Sequence, residues 1–115
     1  YLEQGEQEKS GYHLEQAFRM NPQAPIVANN LAWHLVTGEE PDPERAMKLI
    51  QAVLERHPDV AAYVDTRGQV YLRLKEWKKA IDDFQVSIVQ YPNERAIHLG
   101  LHEAYSQLGM QELAD

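Results

Sequence analysis

Proline returns in register along this chain of 115 residues: Pro22, Pro58 and Pro92 stand 36 and then 34 residues apart. Each closes an apolar pattern of helical period, and other landmarks return with it. Five residues before each proline is a small or modest side chain (Ala17, Val53, Ser87), and eight before is a core-sized one (Leu14, Ile50, Phe84). Twelve before is a small residue again, Ser10, Ala46 and Ala80, with Ala114 as the next term. A fixed period in the thirties marks one supersecondary unit copied along the chain, each copy burying its apolar face only against its neighbours. The expected fold class is therefore an all-α stack of helix pairs.

The local signals agree. Apolar residues recur at helical spacing through Leu14, Ala17 and Phe18, through Val27, Leu31, Ala32 and Leu35, and through Ala46, Leu49, Ile50, Val53 and Leu54. The pattern resumes with Val64, Tyr71 and Leu74, then Ala80, Ile81, Phe84 and Ile88, then Ile97, Leu101, Ala104, Tyr105 and Leu108. Turns are expected at Asn21–Ala24, Thr37–Pro41, His57–Asp59, Lys75–Glu76 and Tyr91–Pro92. Asp42-Pro43-Glu44 reads as a helix start: an oxygen to cap free amides, a proline with no amide to lose, and an acid at the positive end of the dipole. Asp59 and Asn93 are expected to cap likewise. Gly38 is expected in the left-handed conformation after a helix end, and Gly109 to stop the last full helix, leaving Met110–Asp115 as the first turn of another.

Charge and composition narrow the partners. A net charge of -7 repels polyanions, so nucleic acid and anionic lipid are poor partners. No apolar run reaches the roughly 20 residues that cross a bilayer, and no signal-peptide pattern is present. With no cysteine, neither a disulfide nor a thiolate metal site can form, and the compartment is not legible beyond a cytoplasmic default.

From Ala61 to Pro92 the landmarks become specific. Gly68 sits where two helices would cross closely, Tyr71 one turn on, Trp77 opens the next helix, and Ala80, Phe84, Ser87 and Pro92 follow. That set resembles a tetratricopeptide repeat, which implies an all-α, right-handed α-solenoid of antiparallel helix pairs. Upstream, Leu31-Ala32, Ala46, Ile50, Val53 and Pro58 match as a second copy, with two extra residues in the Gly38–Asp42 turn. The resemblance divides the chain into a partial repeat over 1–24, complete repeats over 25–60 and 61–94, and a partial repeat over 95–115. Tyr1 falls at the register of Tyr71, so the chain is expected to be a piece of a longer array.

Few constellations suggest chemistry. His98 and His102 share a helix face at a spacing able to hold a metal, but a third ligand could come from Glu103 or His57 only by accident of stacking, and His102 occupies the place of a small residue at the helix crossing. No HExxH, nucleophile elbow or phosphate-cradling glycine cluster occurs. No catalytic residue, cofactor or metal is expected, and the chain is not expected to be an enzyme.

The resemblance implies instead an inner groove lined by the first helix of each pair. Register places Ile26, Asn29, Asn30, Trp33 and Val36 there, then Ala62, Asp65, Thr66, Gln69 and Arg73, then Ala96, Leu99, Gly100 and Glu103. Trp33, flanked by amides, has the character of an interaction hot spot. Trp77, by contrast, is expected to be a structural anchor. The candidate partner-binding set is Asn29, Asn30, Trp33, Asp65, Thr66, Gln69 and Glu103. Relatives that grip a C-terminal carboxylate use groove asparagines and cations; Asn30 matches one such asparagine, but Ala62 and Thr66 stand where lysine and arginine are expected, with Asp65 between them, which disfavours such a ligand. The expected function is a protein–protein interaction scaffold binding a peptide or partner domain. The alternatives are a regulatory or substrate-recruiting segment of a larger enzyme, and a self-association module.

Overall fold

In the computed structural model Pro25 and Pro43 each open a helix, where a missing amide does no harm. The structure describes residues 4–114, and the side chains of residues 11–109. The helices are α1 (Gln4–Met20), α2 (Pro25–Thr37), α3 (Pro43–Arg56), α4 (Ala61–Arg73), α5 (Trp77–Gln90) and α6 (Arg95–Ala114). There is no strand among the described residues. The register argument from Tyr1, and the side chains of Ser10 and Ala114, lie outside what is described.

The five expected turns fall between helices, except that Thr37 is still the last residue of α2. Their detailed chemistry differs in part from expectation. Asp42 caps α3 as expected, its Oδ1 accepting from the Arg45 amide at 3.3 Å. Asp59 caps nothing: α4 begins one residue later, with Val60 at the N-cap and no side-chain hydrogen bond. α6 starts at Arg95, so Asn93 lies a residue outside the N-cap. Gly38 is extended (φ −77°, ψ 179°), because the chain leaves α2 straight into a five-residue connection, residues 38–42, rather than curling back. The left-handed residue is Lys75 (φ 63°), the middle of the three-residue turn 74–76. Nor does Gly109 stop α6; the helix runs through it to Ala114. Glycine weakens a helix interior by only about 1 kcal/mol, and neither proline nor left-handed backbone interrupts here.

Packing joins helices one or two apart along the chain. α1 touches α2, α2 pairs with α3, α3 touches α4, α4 pairs with α5, and α5 touches α6. In addition α2 touches α4 and α4 touches α6. The body measures 47 × 32 × 26 Å, a short stack. Its buried side chains form two clusters. One, around Ala32, Val36, Ala46, Ile50 and Val64, joins α2, α3 and α4. The other, around Trp77, Ala80, Phe84, Ile97 and Ala104, joins α5 to α6 with Leu72 of α4.

Phe84 is the clearest case of sequence dictating packing. Its ring is fully buried, with one edge against Gly68 and the other against Gly100. A Cβ on Gly68 would come within 2.7 Å of Cε1, and one on Gly100 within 2.6 Å of Cε2 and Cζ. Two missing side chains therefore let α4 and α6 close on one aromatic from α5. Gly68 was legible from the repeat; Gly100 is not a groove residue, as its register suggested, but the second jaw of this contact.

Polar ties complete the α4–α5 pair. Asp83 is buried and takes both Arg67 Nε and Nη2 at 2.8 Å, a bidentate fork. Ser87 donates from Oγ to the Ala61 and Asp83 carbonyls at 3.2 and 3.1 Å. Across α1 and α3, Arg45 forks onto Glu15, with Nη2 2.8 Å from Oε1. That pair lies in partly exposed surroundings and holds the Glu15 carboxyl below the usual carboxylate range.

Candidate binding surface

The stacking order itself defines an inside. α2, α4 and α6 succeed one another in contact, whereas no comparable backbone contact joins α1 to α3 or α3 to α5. The row of helices that packs closest lies on the inner side of the curve. The candidate surface is therefore carried by α2, α4 and α6.

Three sets of equivalent residues sort it, counted from each proline. Seven residues on are Asn29, Asp65 and Leu99. Asn29 and Asp65 are only partly accessible, and Oδ1 of each is buried with no hydrogen-bond partner among the described residues. Burial pushes the Asp65 carboxyl up to about 6, with the charge of Glu94 adding to the shift and Gln69, one turn on, opposing it. Leu99 is 55% exposed, an apolar side chain left open at the same register.

Eleven residues on are Trp33, Gln69 and Glu103. Trp33 and Gln69 are half-buried and Glu103 is exposed. Gln69 Nε2 donates to the Ala96 carbonyl at 3.2 Å, tying α4 to α6. Trp33 stands one turn beyond Asn29 on α2.

Eight residues on are Asn30, Thr66 and Gly100, and here register misleads. Asn30 is exposed, but Thr66 is 2% accessible and Gly100 is buried. This position turns toward the second helix of the preceding pair, as Gly100 does onto Phe84. The Thr66 hydroxyl is used up locally, donating to the Ala62 carbonyl at 3.1 Å. Thr66 is therefore removed from the surface, as is Val36, which is fully buried. The structure keeps Asn29, Asn30, Trp33, Asp65, Gln69 and Glu103 accessible in whole or part.

What the sequence could not disclose was that Asn29 and Asp65 carry buried acceptors left unpaired. Polar identity at one register was the only signal. Tyr105, expected in the core, is 52% exposed, and its hydroxyl accepts from Gln85 Nε2 at 3.0 Å. His102, expected at a crossing, is exposed, because no described helix covers that face of α6. His98 reaches back to the Pro92 carbonyl at 2.6 Å, its ring N–H donating. No group of three or more His, Cys, Asp or Glu suited to a metal occurs among the described residues. No described helix is long and apolar enough to cross a membrane. Trp77 is buried at the opening of α5, where it packs in the second cluster.

No protein-family model matches the chain, and no curated protein matches it by sequence. Solved structures do. The P58(IPK) TPR domain superposes with a TM-score of 0.75 at 20% identity, over 93% of this chain and 30% of that one. MamA MSR-1 superposes with a TM-score of 0.69 at 25% identity, over 96% of this chain and 62% of that one. MamA AMB-1 gives 0.64 at 25% identity, over 93% and 57%. This chain thus spans less than two thirds of the length of each. The fold is a TPR-like, all-α helical repeat, and such repeats serve as protein-interaction scaffolds.

Proposed function

We propose that this chain is a non-catalytic scaffold that binds a peptide or partner domain along α2, α4 and α6, with a basic side chain of the ligand received at Asn29 and Asp65. The observation that carries the reading is the pair of buried Oδ1 atoms, at one register on touching helices, with no partner of their own. A buried acceptor without a donor costs about 1–3 kcal/mol, and a ligand ammonium or guanidinium recovers that cost once a small shift of the partly accessible Asn29 or Asp65 side chain opens Oδ1 to it. An acidic ligand would add repulsion from Asp65 and Glu94. Half-buried Trp33, one turn away, supplies the large flat area on which a side-chain stem can pack.

Trp33 also supplies the readout, since the chain has two tryptophans and the other, Trp77, is buried. An acetylated, amidated peptide of alternating Leu and Lys should change Trp33 emission and bind more tightly than its Leu–Glu counterpart, the preference shrinking with added salt. Trp33→Ala with Asn30→Ala, followed by amide chemical shifts, should weaken binding by about 2 kcal/mol or more with helicity unchanged. Equal affinity for the two peptides, or for the double variant, would move the site off this surface.

A further inference from the structure

The outer side of the stack holds a second feature, which repeats with the fold but not with its chemistry. A cleft of about 490 Å³ opens between the turn Pro22–Pro25, the first turn of α2 and the C-terminal half of α3. A smaller one, about 190 Å³, opens between Pro58, Asp59, the start of α4 and the end of α5. Counted from the prolines, they are the same notch twice. Ala28 and Ala52 in the first stand where the larger Val64 and Val86 line the second, Val64 buried and Val86 half-exposed. Lys48, Glu55 and Arg56 in the first answer to Asp82, Val89 and Gln90.

The first notch is thus both hollow and basic in an acidic chain. Its floor is apolar, from Phe18, Leu49, Ala52 and Val53, and its volume lies in the range of ligand-binding clefts. Lys48 and Arg56 stand on the lining, and neither forms an ion pair among the described residues. Arg45 is already engaged by Glu15, and Glu55 is the one acid on the lining. His57 closes the lower end. Eight residues of helix separate Lys48 from Arg56, about 12 Å along the axis.

An extended peptide covers about 13 Å in four residues, with side chains i, i+2 and i+4 on one face. We infer that this notch binds an extended acidic peptide of the pattern acid–x–apolar–x–acid, its two carboxylates meeting Lys48 and Arg56 and its apolar side chain entering between Leu49 and Ala52. The ligand is opposite in charge to the one the inner surface would take, so the two sites would sort different partners. The second notch, narrowed by its valines and carrying Asp59, has neither the room nor the charge.

The probe is acetyl-Glu-Ser-Leu-Ser-Glu-amide, titrated to millimolar concentration against the isotope-labelled chain. Amide shifts should concentrate in residues 22–28 and 48–57. The double variant Lys48→Glu, Arg56→Glu, at two exposed sites in no ion pair among the described residues, should bind at least tenfold more weakly. So should Ala52→Leu, which fills the floor, while the Leu→Ser peptide should bind at least fivefold more weakly to the unaltered chain. Absence of shifts, shifts centred on α4 and α6, or equal binding by the charge-reversed variant would overturn the inference. It would also fall if vesicles of anionic phospholipid bound through Lys48 and Arg56 while the peptide did not.

Discussion

The α2–α3 and α4–α5 pairs are built on the same frame and fastened differently. Their helices match in length, 13 and 14 residues in each pair, and only the connection differs, five residues against three. In α4–α5 the short turn forces Lys75 left-handed, Gly68 lets Phe84 approach, and a buried Arg67–Asp83 fork and the Ser87 hydroxyl bind the two helices. In α2–α3 the same positions hold Ala32, Ile50, Leu49 and Val53, all apolar. One pair is fixed by shape and by directional polar contacts; the other depends on area alone. The looser specification goes with the larger outer notch. Interaction surface and rigidity are distributed unevenly along a nominally repetitive chain.

The largest effect should come from breaking the shape-fixed pair. Gly68→Leu should cost about 2–4 kcal/mol, since the Phe84 ring that it meets cannot retreat, its far edge being pinned by Gly100. Ala32→Leu, the equivalent change in α2–α3, tests the comparison directly. Thermal melts that put the two variants level would show that the glycine–aromatic contact is no tighter than an ordinary apolar crossing.

Next come the ion pairs. Asp83→Ala removes a buried carboxylate from a fork whose guanidinium is partly accessible, and should cost about 1.5–3 kcal/mol with little dependence on salt. Glu15→Ala opens a pair whose side chains are 32% and 39% exposed, and should cost no more than about 1 kcal/mol, vanishing at high salt. Denaturant curves at low and high ionic strength distinguish them. A salt-sensitive Asp83 variant would mean that the fork is wet.

How much of this was written in the sequence depends on whether a property is periodic. The turns, the order of the helices, Gly68, Phe84 and the longer connection all follow from landmarks that recur, so counting finds them, whereas the end of α6 beyond Gly109 has no such landmark. Thr66 and Gly100 defeated the same count because a helix in a stack has two covered faces, one against its own partner and one against the preceding pair. Register alone does not say which of these a residue eight past the proline will meet. Lys75 in the left-handed conformation had no sequence signal, as glycine or asparagine is the usual occupant. The outer notch was invisible for another reason: alanines at Ala28 and Ala52 look like packing residues, and only their joint position makes a cavity.

The smallest effect concerns one atom group at equivalent positions of the two pairs, Asn29 in α2 and Asp65 in α4. Asp65→Asn gives the second pair the residue of the first. The Asp65 carboxyl titrates near 6 in the fold against an ordinary value of 3.8, chiefly because burial disfavours its charge, with Glu94 adding and Gln69 opposing. The folded chain therefore holds this proton over a window in which the unfolded chain has lost it. Stability from this site is greatest below about pH 4 and falls as pH rises toward 6. At pH 7 the native state carries a half-buried charge with no ion-pair partner among the described residues, which the amide does not. The variant should melt a few degrees higher than the parent at pH 7, and the gain should disappear below pH 4, where both side chains are neutral. It should also lose much of the preference for Lys over Glu peptides. A variant less stable at pH 7 would mean that the carboxylate has a partner in solution, and that the inner surface has no vacant acceptor there for a ligand to fill.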